Sequence, residues 1–184
     1  MVDFLVIGPV GAIIYRDIFP LIKDGDISFG WNRVVEFENG VKFGNIRWFS
    51  NISDHCPLKL ELKKHYNEID YNRFDNYDCI NIDRIEDIPV DYDGLMGVPI
   101  TFIDKWNPEQ FDLIGLPNIG IVPEGWNGMT EDFIKLYYEQ GNTGCIEIGN
   151  KNGYFIKDGK AIVPYVRLLI RRKKNGRFSC DWTI

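Results

Sequence analysis

The residues best placed for chemistry by type and spacing begin with two glycines near the start of the chain. Ile7-Gly8-Pro9-Val10-Gly11-Ala12 falls between a strand-like run and a helix-like run, where nucleotide-binding turns sit. It lacks the G-x-G-x-x-G spacing and the P-loop Lys-Ser/Thr, and Pro9 has no amide to offer a phosphate. A tight strand-to-helix turn is the better account. A second candidate is the carboxylate cluster Asp83, Glu86, Asp87, Asp91 and Asp93. Setting Gly94 on the glycine of a calcium loop puts Pro89 at the first ligand position and Ile100 at the acidic last one, so the loop fails at both ends. These acids read as a solvated face. Cys56, Cys79, Cys145 and Cys180 are scattered and His55 and His65 isolated, which argues against zinc. No G-x-S-x-G marks a serine nucleophile. What remains is a cationic stretch: Arg167, Arg171, Arg172, Lys173, Lys174 and Arg177 lie within 167–177 with no acid among them. Such a patch can grip phosphate even on an acidic protein.

The protein as a whole is acidic, with net charge −6 and a pI near 5.0. That sign is opposite to the footprint of a dedicated nucleic-acid binder. Its 184 residues suit one domain, or one domain with a small appendage. With 45% hydrophobic and 14% aromatic residues it can bury a substantial core. No repeat or long polar tract is present, and no apolar run reaches the roughly 18 residues of a membrane helix. The N-terminal run is too short and too acidic for a signal peptide. A cytoplasmic protein with reduced thiols, no metal and no membrane contact is expected.

The elements that must position these residues are mostly strands. Phe4–Ile7 is a continuous apolar run of the kind found in a fully buried strand. Ile14, Ile18, Leu21 and Ile22 recur at helical spacing over 13–23, with a kink or change of turn expected at Pro20. A strand follows over 27–31. Asn39-Gly40 between Val34–Phe37 and Val41–Phe43 is a strong hairpin signal, and Asn45–Asn51 reads as a further strand. Residues 52–76 read as loop with at most one short helix. Tyr77–Ile82 and Val98–Ile103 read as strands, with Pro99 at a start or an edge. Asn107-Pro108 opens a helix or turn, with Phe111–Leu116 as an alternative strand. Residues 117–129 form a loop, Glu131–Gln140 a helix stopped by Gly141, and the tail reads as hairpins turning at Asp158-Gly159 and Asn175-Gly176 around a strand over 165–171.

Several segments carry a resemblance. Phe4–Gly8, Ile18–Lys23, Gly44–Asn51, Asp75–Asp78, the long block from Asp91-Tyr92-Asp93-Gly94 through Met96–Phe102 to Asn107–Phe111, and Leu169–Lys174 resemble, in order, segments of the adenine-specific DNA methyltransferases of the EcoRI type. The resemblance implies an α/β fold whose mixed sheet is like the C-terminal part of a Rossmann-like methyltransferase, with antiparallel hairpins and few helices. Phe4–Ile7 would be the fifth of seven strands, and residues 31–51 would supply the closing antiparallel ones. Residues 1–51 would form this partial sheet region and 52–184 a mixed α/β target-recognition region, continuous with it.

Such enzymes are expected to move a methyl group from S-adenosylmethionine to the exocyclic amine of adenine in DNA. That amine is a poor nucleophile, so acceptors in an Asn/Asp-Pro-Pro-Phe/Tyr motif take its hydrogens and aromatic rings stack on the flipped base. Neither that motif nor the donor-binding Phe-x-Gly-x-Gly occurs here. Asn107-Pro108-Glu109-Gln110-Phe111 echoes the former, but its second proline is replaced and its ring lies one residue too far along, so capping explains it better. The expectation is the target side of such an enzyme, inactive alone, with no catalytic residue and no donor bound. Its partners would be DNA and a separate polypeptide carrying the donor-binding half; an exposed sheet edge would also permit self-association. A non-catalytic DNA-binding or protein-interaction module is the alternative. Trp48 and Phe49 point to opposite faces of a strand, so one enters the core and the other can stack on an extruded adenine beside Asn51, although both can equally be core. Arg47, Arg167, Arg171, Arg172, Lys173, Lys174 and Arg177 are the candidate DNA contacts, the last six on a basic hairpin whose alternative role is a charged, aggregation-resistant edge.

Overall fold

The computed structural model describes residues 2–29, 36, 38–42, 45–52 and 58–173. Strands β1 (Leu5–Pro9), β2 (Ser28–Phe29) and β3 (Ile46–Ser50) form a three-stranded sheet in the order β1-β3-β2, with β3 antiparallel to both neighbours. Helix α1 (Phe19–Lys23) lies between β1 and β2 in sequence. Strands β4 (Asn72–Arg73), β5 (Cys79–Asn81), β6 (Leu95–Pro99), β7 (Phe111–Gly115) and β10 (Arg167–Arg172) form a second sheet in the order β4-β5-β6-β10-β7. In it β5 and β6 are parallel and the other pairs antiparallel. Helix α2 (Glu131–Glu139) and the hairpin of β8 (Phe155–Lys157) and β9 (Lys160–Ile162) are the remaining strands and α-helix among the described residues. The architecture is mixed α/β, with a mixed sheet and few helices.

Proline punctuation explains where strand and helix expectations shift. The helical spacing over 13–23 resolves into a 3-10 turn at Val10–Ile14 and a separate five-residue α1. A proline lacks the N–H a helix interior needs, so the helix restarts just before Pro20 and keeps it in the first turn. The strand expected over 98–103 instead runs from Leu95 to Pro99, and Ile100–Lys105 coils into a 3-10 helix. Asn107 accepts from the Glu109 amide at 2.8 Å and opens a turn rather than a helix, after which β7 begins at Phe111. Residues 52–76 hold more order than a loop: a 3-10 turn at Glu68–Asp70 and β4. The strand expected over 165–171 is β10. The Asn39-Gly40 turn is present, with Gly40 at φ 76° and a Glu36–Lys42 bridge across it, while Trp31, Val34, Val35, Phe37 and Phe43 lie outside the described residues. Thr130 caps α2 by accepting from the Phe133 amide, and Gly141 follows it at φ 78°.

Two strand environments differ from expectation. β1 is not buried: Leu5, Val6 and Ile7 are 57%, 49% and 38% exposed, because no described core cluster packs over their side chains; β3 pairs with one of its edges and no described strand takes the other. β10 is not the free arm of a terminal hairpin. It lies inside the sheet, bonded to β6 along one edge and β7 along the other. The Asn175-Gly176 turn lies outside the described residues.

One hydrophobic cluster joins the two sheets. Phe49 of the first sheet, with Ile13, Phe19 and Ile22 from the turn and helix between β1 and β2, packs with Ile80, Met96, Phe111, Leu113 and Ile170 of the second and with Phe102 just after β6. The Arg47 guanidinium on β3 reaches Asp104, in the 3-10 helix after β6, at 2.6 Å, and both side chains are largely buried. Removing one partner of such a pair strands a buried charge and costs about 3–5 kcal/mol, whereas replacing both with apolar groups is far milder. Urea denaturation should therefore show Asp104→Ala as strongly destabilised and Arg47→Met/Asp104→Leu as substantially recovered. A double variant no better than the single would contradict this reading of the pair.

Candidate nucleic-acid interface

On β3, strand alternation sends consecutive side chains to opposite faces. Phe49 enters the core with Arg47 on its side, while Trp48 points the other way, half-buried and outside the core cluster. The Asn51 amide binds the N-terminal segment: its Oδ1 accepts from the Phe4 amide at 2.8 Å and its Nδ2 donates to the Val2 carbonyl at 3.1 Å. These three side chains therefore have three different surroundings, and Trp48 alone of them shows a partly open aromatic surface.

The described part of the basic stretch is largely neutralised by acids from far along the chain. Arg167 donates to Asn81 at 2.9 Å, to Asp83 at 3.1 Å and to the Tyr165 carbonyl at 3.1 Å. Burial lowers the pKa of its guanidinium, and Asp83 pulls it back up. Arg172 meets Asp93 at 3.0 Å, and Lys173 meets Asp112 at 3.2 Å. Arg171 is exposed and has no carboxylate partner among the described residues. Lys174 and Arg177 lie outside the described residues. Asp83 and Asp93 thus serve in part as counter-ions of the basic stretch rather than only as a solvated face.

The structure also brings together residues that sequence reasoning missed. A cavity of about 390 Å³ opens between the end of α1 and β7, lined by Lys23, Asp24, Trp106, Phe111, Asp112 and Lys173 among others. The Trp106 Nε1 donates to the Phe111 carbonyl at 2.9 Å, which fixes the indole at the wall. Lys23 and Asp24 are exposed, and neither side chain has a described ionic or hydrogen-bonding partner. Only Lys173 of this group belongs to the cationic stretch readable in the sequence.

The turn around Gly8 and Gly11 does not fit a nucleotide or sulfonium donor. A Cβ on Gly8 would come within 3.0 Å of the Phe49 ring, so this glycine makes room for core packing. Pro9 withholds its amide, and Gly11 has no atom within 4 Å of where its Cβ would stand. Among the described residues no group of three or more His, Cys, Asp or Glu could hold a metal ion, and no helix is long and apolar enough to cross a membrane. Cys79 is buried, which pushes its thiol pKa up, and Cys145 is an exposed free thiol; Cys56 and Cys180 lie outside the described residues.

Residues 32–173 match the family described as adenine-specific methyltransferase EcoRI. The chain belongs to the EcoRI adenine-specific methyltransferase family. Relatives of this family include the type II methyltransferase M.EcoRI of Escherichia coli, 38% identical over 60% of this chain and 42% of its own length. M.MgeORF184P of Mycoplasma genitalium is 35% identical over 61% and 44%, and M.MpnI of Mycoplasma pneumoniae 35% over 61% and 43%. The chain therefore spans less than half the length of these EcoRI-family relatives. No solved structure matches it.

The neutralised and exposed cations should separate in stability. Arg167→Ala leaves the buried Asn81 Oδ1 without its donor, a loss of about 1–3 kcal/mol, while Arg171→Ala should stay within about 0.5 kcal/mol of the parent. Denaturant midpoints at constant slope check this; equal stability of the two variants would contradict the assignment of Arg167 to the scaffold.

Proposed function

We propose that this chain is the target-DNA-binding portion of an S-adenosylmethionine-dependent DNA adenine-N6 methyltransferase of the restriction–modification type. The observation that carries it is the family match over 32–173 in a sequence with neither the donor-binding glycine motif nor Asn-Pro-Pro-Phe. Donor binding and the groups that hold the target amine then come from residues outside these 184, in the same polypeptide or a separate one. The chain alone is inactive on this reading.

Within it, residues 1–51 complete a methyltransferase-like sheet and residues 52–184 form the target-recognition region. The antiparallel β1-β3-β2 arrangement suits the closing strands of such a sheet. The apolar exposure of β1 on both faces suits a strand with a further strand beside it and layers over it. A donor-binding half supplied by another polypeptide would seat there, and the same open edge gives self-association a route. Trp48 is the better candidate to stack on an extruded adenine, since Phe49 is committed to the core. Arg171, Lys173, Lys174 and Arg177 are the better candidates for phosphate contact. Arg47, Arg167 and Asn51 act mainly as scaffold, and Arg172, half-buried against Asp93, stands between the two groups. Reduced thiols at Cys79 and Cys145 fit a cytoplasmic protein.

Two measurements test this. Isothermal titration with S-adenosylmethionine should show no binding, and tritiated donor should leave no label in duplex DNA. Micromolar donor affinity, or methyl transfer by the chain alone, would overturn the assignment of the chemistry to residues outside it.

A further inference from the structure

We propose that the cavity between α1 and β7 is a DNA backbone site, with Lys23 and Lys173 on its two walls as phosphate contacts. The inference rests on the DNA-binding reading above and places one strand of the duplex in this cleft. Lys23 ends one of the segments that carry the resemblance, but nothing in the sequence pairs it with the cationic stretch; the fold brings it across.

Five observations carry it. The cleft volume of about 390 Å³ is large enough for a sugar–phosphate unit. Lys23 is exposed and has no carboxylate partner among the described residues, so its charge is available without breaking a contact. Lys173 is held by Asp112 at 3.2 Å, and both side chains are close to half exposed. A solvated pair of this kind contributes little, so Lys173 can exchange Asp112 for a phosphate at small cost. Arg171, exposed two residues before Lys173, adds a further cation near the end of β10. Trp106, its indole pinned to the Phe111 carbonyl, supplies an apolar wall against which a deoxyribose can pack.

Asp24 opposes this assignment in a useful way. It is exposed, lines the same cavity, and no cation among the described residues neutralises it. An anion entering the cleft meets its repulsion, so removing that charge must strengthen binding if the backbone passes here. Residues 23 and 24 are adjacent and exposed, and they give effects of opposite sign from one place.

The experiment is fluorescence anisotropy of a labelled mixed-sequence duplex with the full chain and its Lys23→Glu, Asp24→Asn and Arg171→Glu variants, at several salt concentrations, with melting curves as a control for folding. Losing one phosphate contact weakens binding roughly tenfold at about 0.1 M salt and lowers the slope of log K against log salt by about one. Lys23→Glu should show both effects, alike for duplexes of different sequence, and Asp24→Asn should bind more tightly than the parent. If Lys23→Glu and Asp24→Asn bind as the parent does while Arg171→Glu is weakened, the cleft assignment is wrong and the DNA-binding reading stands. If the parent itself shows no salt-dependent binding, both fall.

Discussion

Arg47 and Asp104 hold the two sheets in one relation, and the site depends on that relation. The pair joins the central strand of the first sheet to the turn that follows β6 in the second, and it does so from inside the protein. A buried ion pair gives little net stability against an apolar replacement, but its geometry is demanding. Around it, Phe19 and Ile22 of α1 pack in the same core as Phe111 and Leu113 of β7, so α1 cannot slide along that strand without opening the core. The cleft between α1 and β7 is a consequence. Its walls belong to segments more than eighty residues apart, and packing rather than local chain geometry sets its width.

The electrostatics follow the same logic. A cationic stretch on a protein of net charge −6 would be a conspicuous patch if left bare. Asp83, Asp93 and Asp112 cover much of it, but they do so differently. Arg167 is drawn into a network with Asn81 and Asp83 and becomes part of the scaffold. Lys173 and Asp112 meet near the surface, where water screens the pair and exchange is easy. Cations from one run of sequence thus divide into those that build the sheet and those that remain available to a polyanion. Among the described residues these are Arg171 and Lys173, near the end of β10, and Lys173 lines the α1 cleft.

What was legible in the sequence was whatever depends on neighbours in the chain. Asn39-Gly40, Asp158-Gly159 and the Gly141 stop are turn chemistry, and the structure carries each where the residues placed it. Proline was legible as a break but not as a boundary: Pro99 ends β6 rather than starting a strand, and Pro20 sits in the first turn of a new helix. The burial of β1 was misjudged because an apolar run records what a strand can bury, not which neighbours are present to bury it. The setting of β10 was misjudged because hairpin signals do not reveal that β6 and β7 take both its edges. Of the interface, the cationic run was readable and its counter-ions were not, since Asp83 and Asp93 lie 84 and 79 residues from their partners. Nothing local in the sequence marks Lys23 or Trp106 as lying beside the cationic stretch.

The central proposal is that this member of the EcoRI methyltransferase family grips DNA through its target side without donor chemistry of its own. The most direct measurement is binding of the unmodified chain to an adenine-containing duplex across a salt series, with and without S-adenosylmethionine. The expected result is affinity that falls log-linearly with salt and does not change when the donor is added. Absence of duplex binding at low salt, or affinity that rises with the donor present, would contradict it.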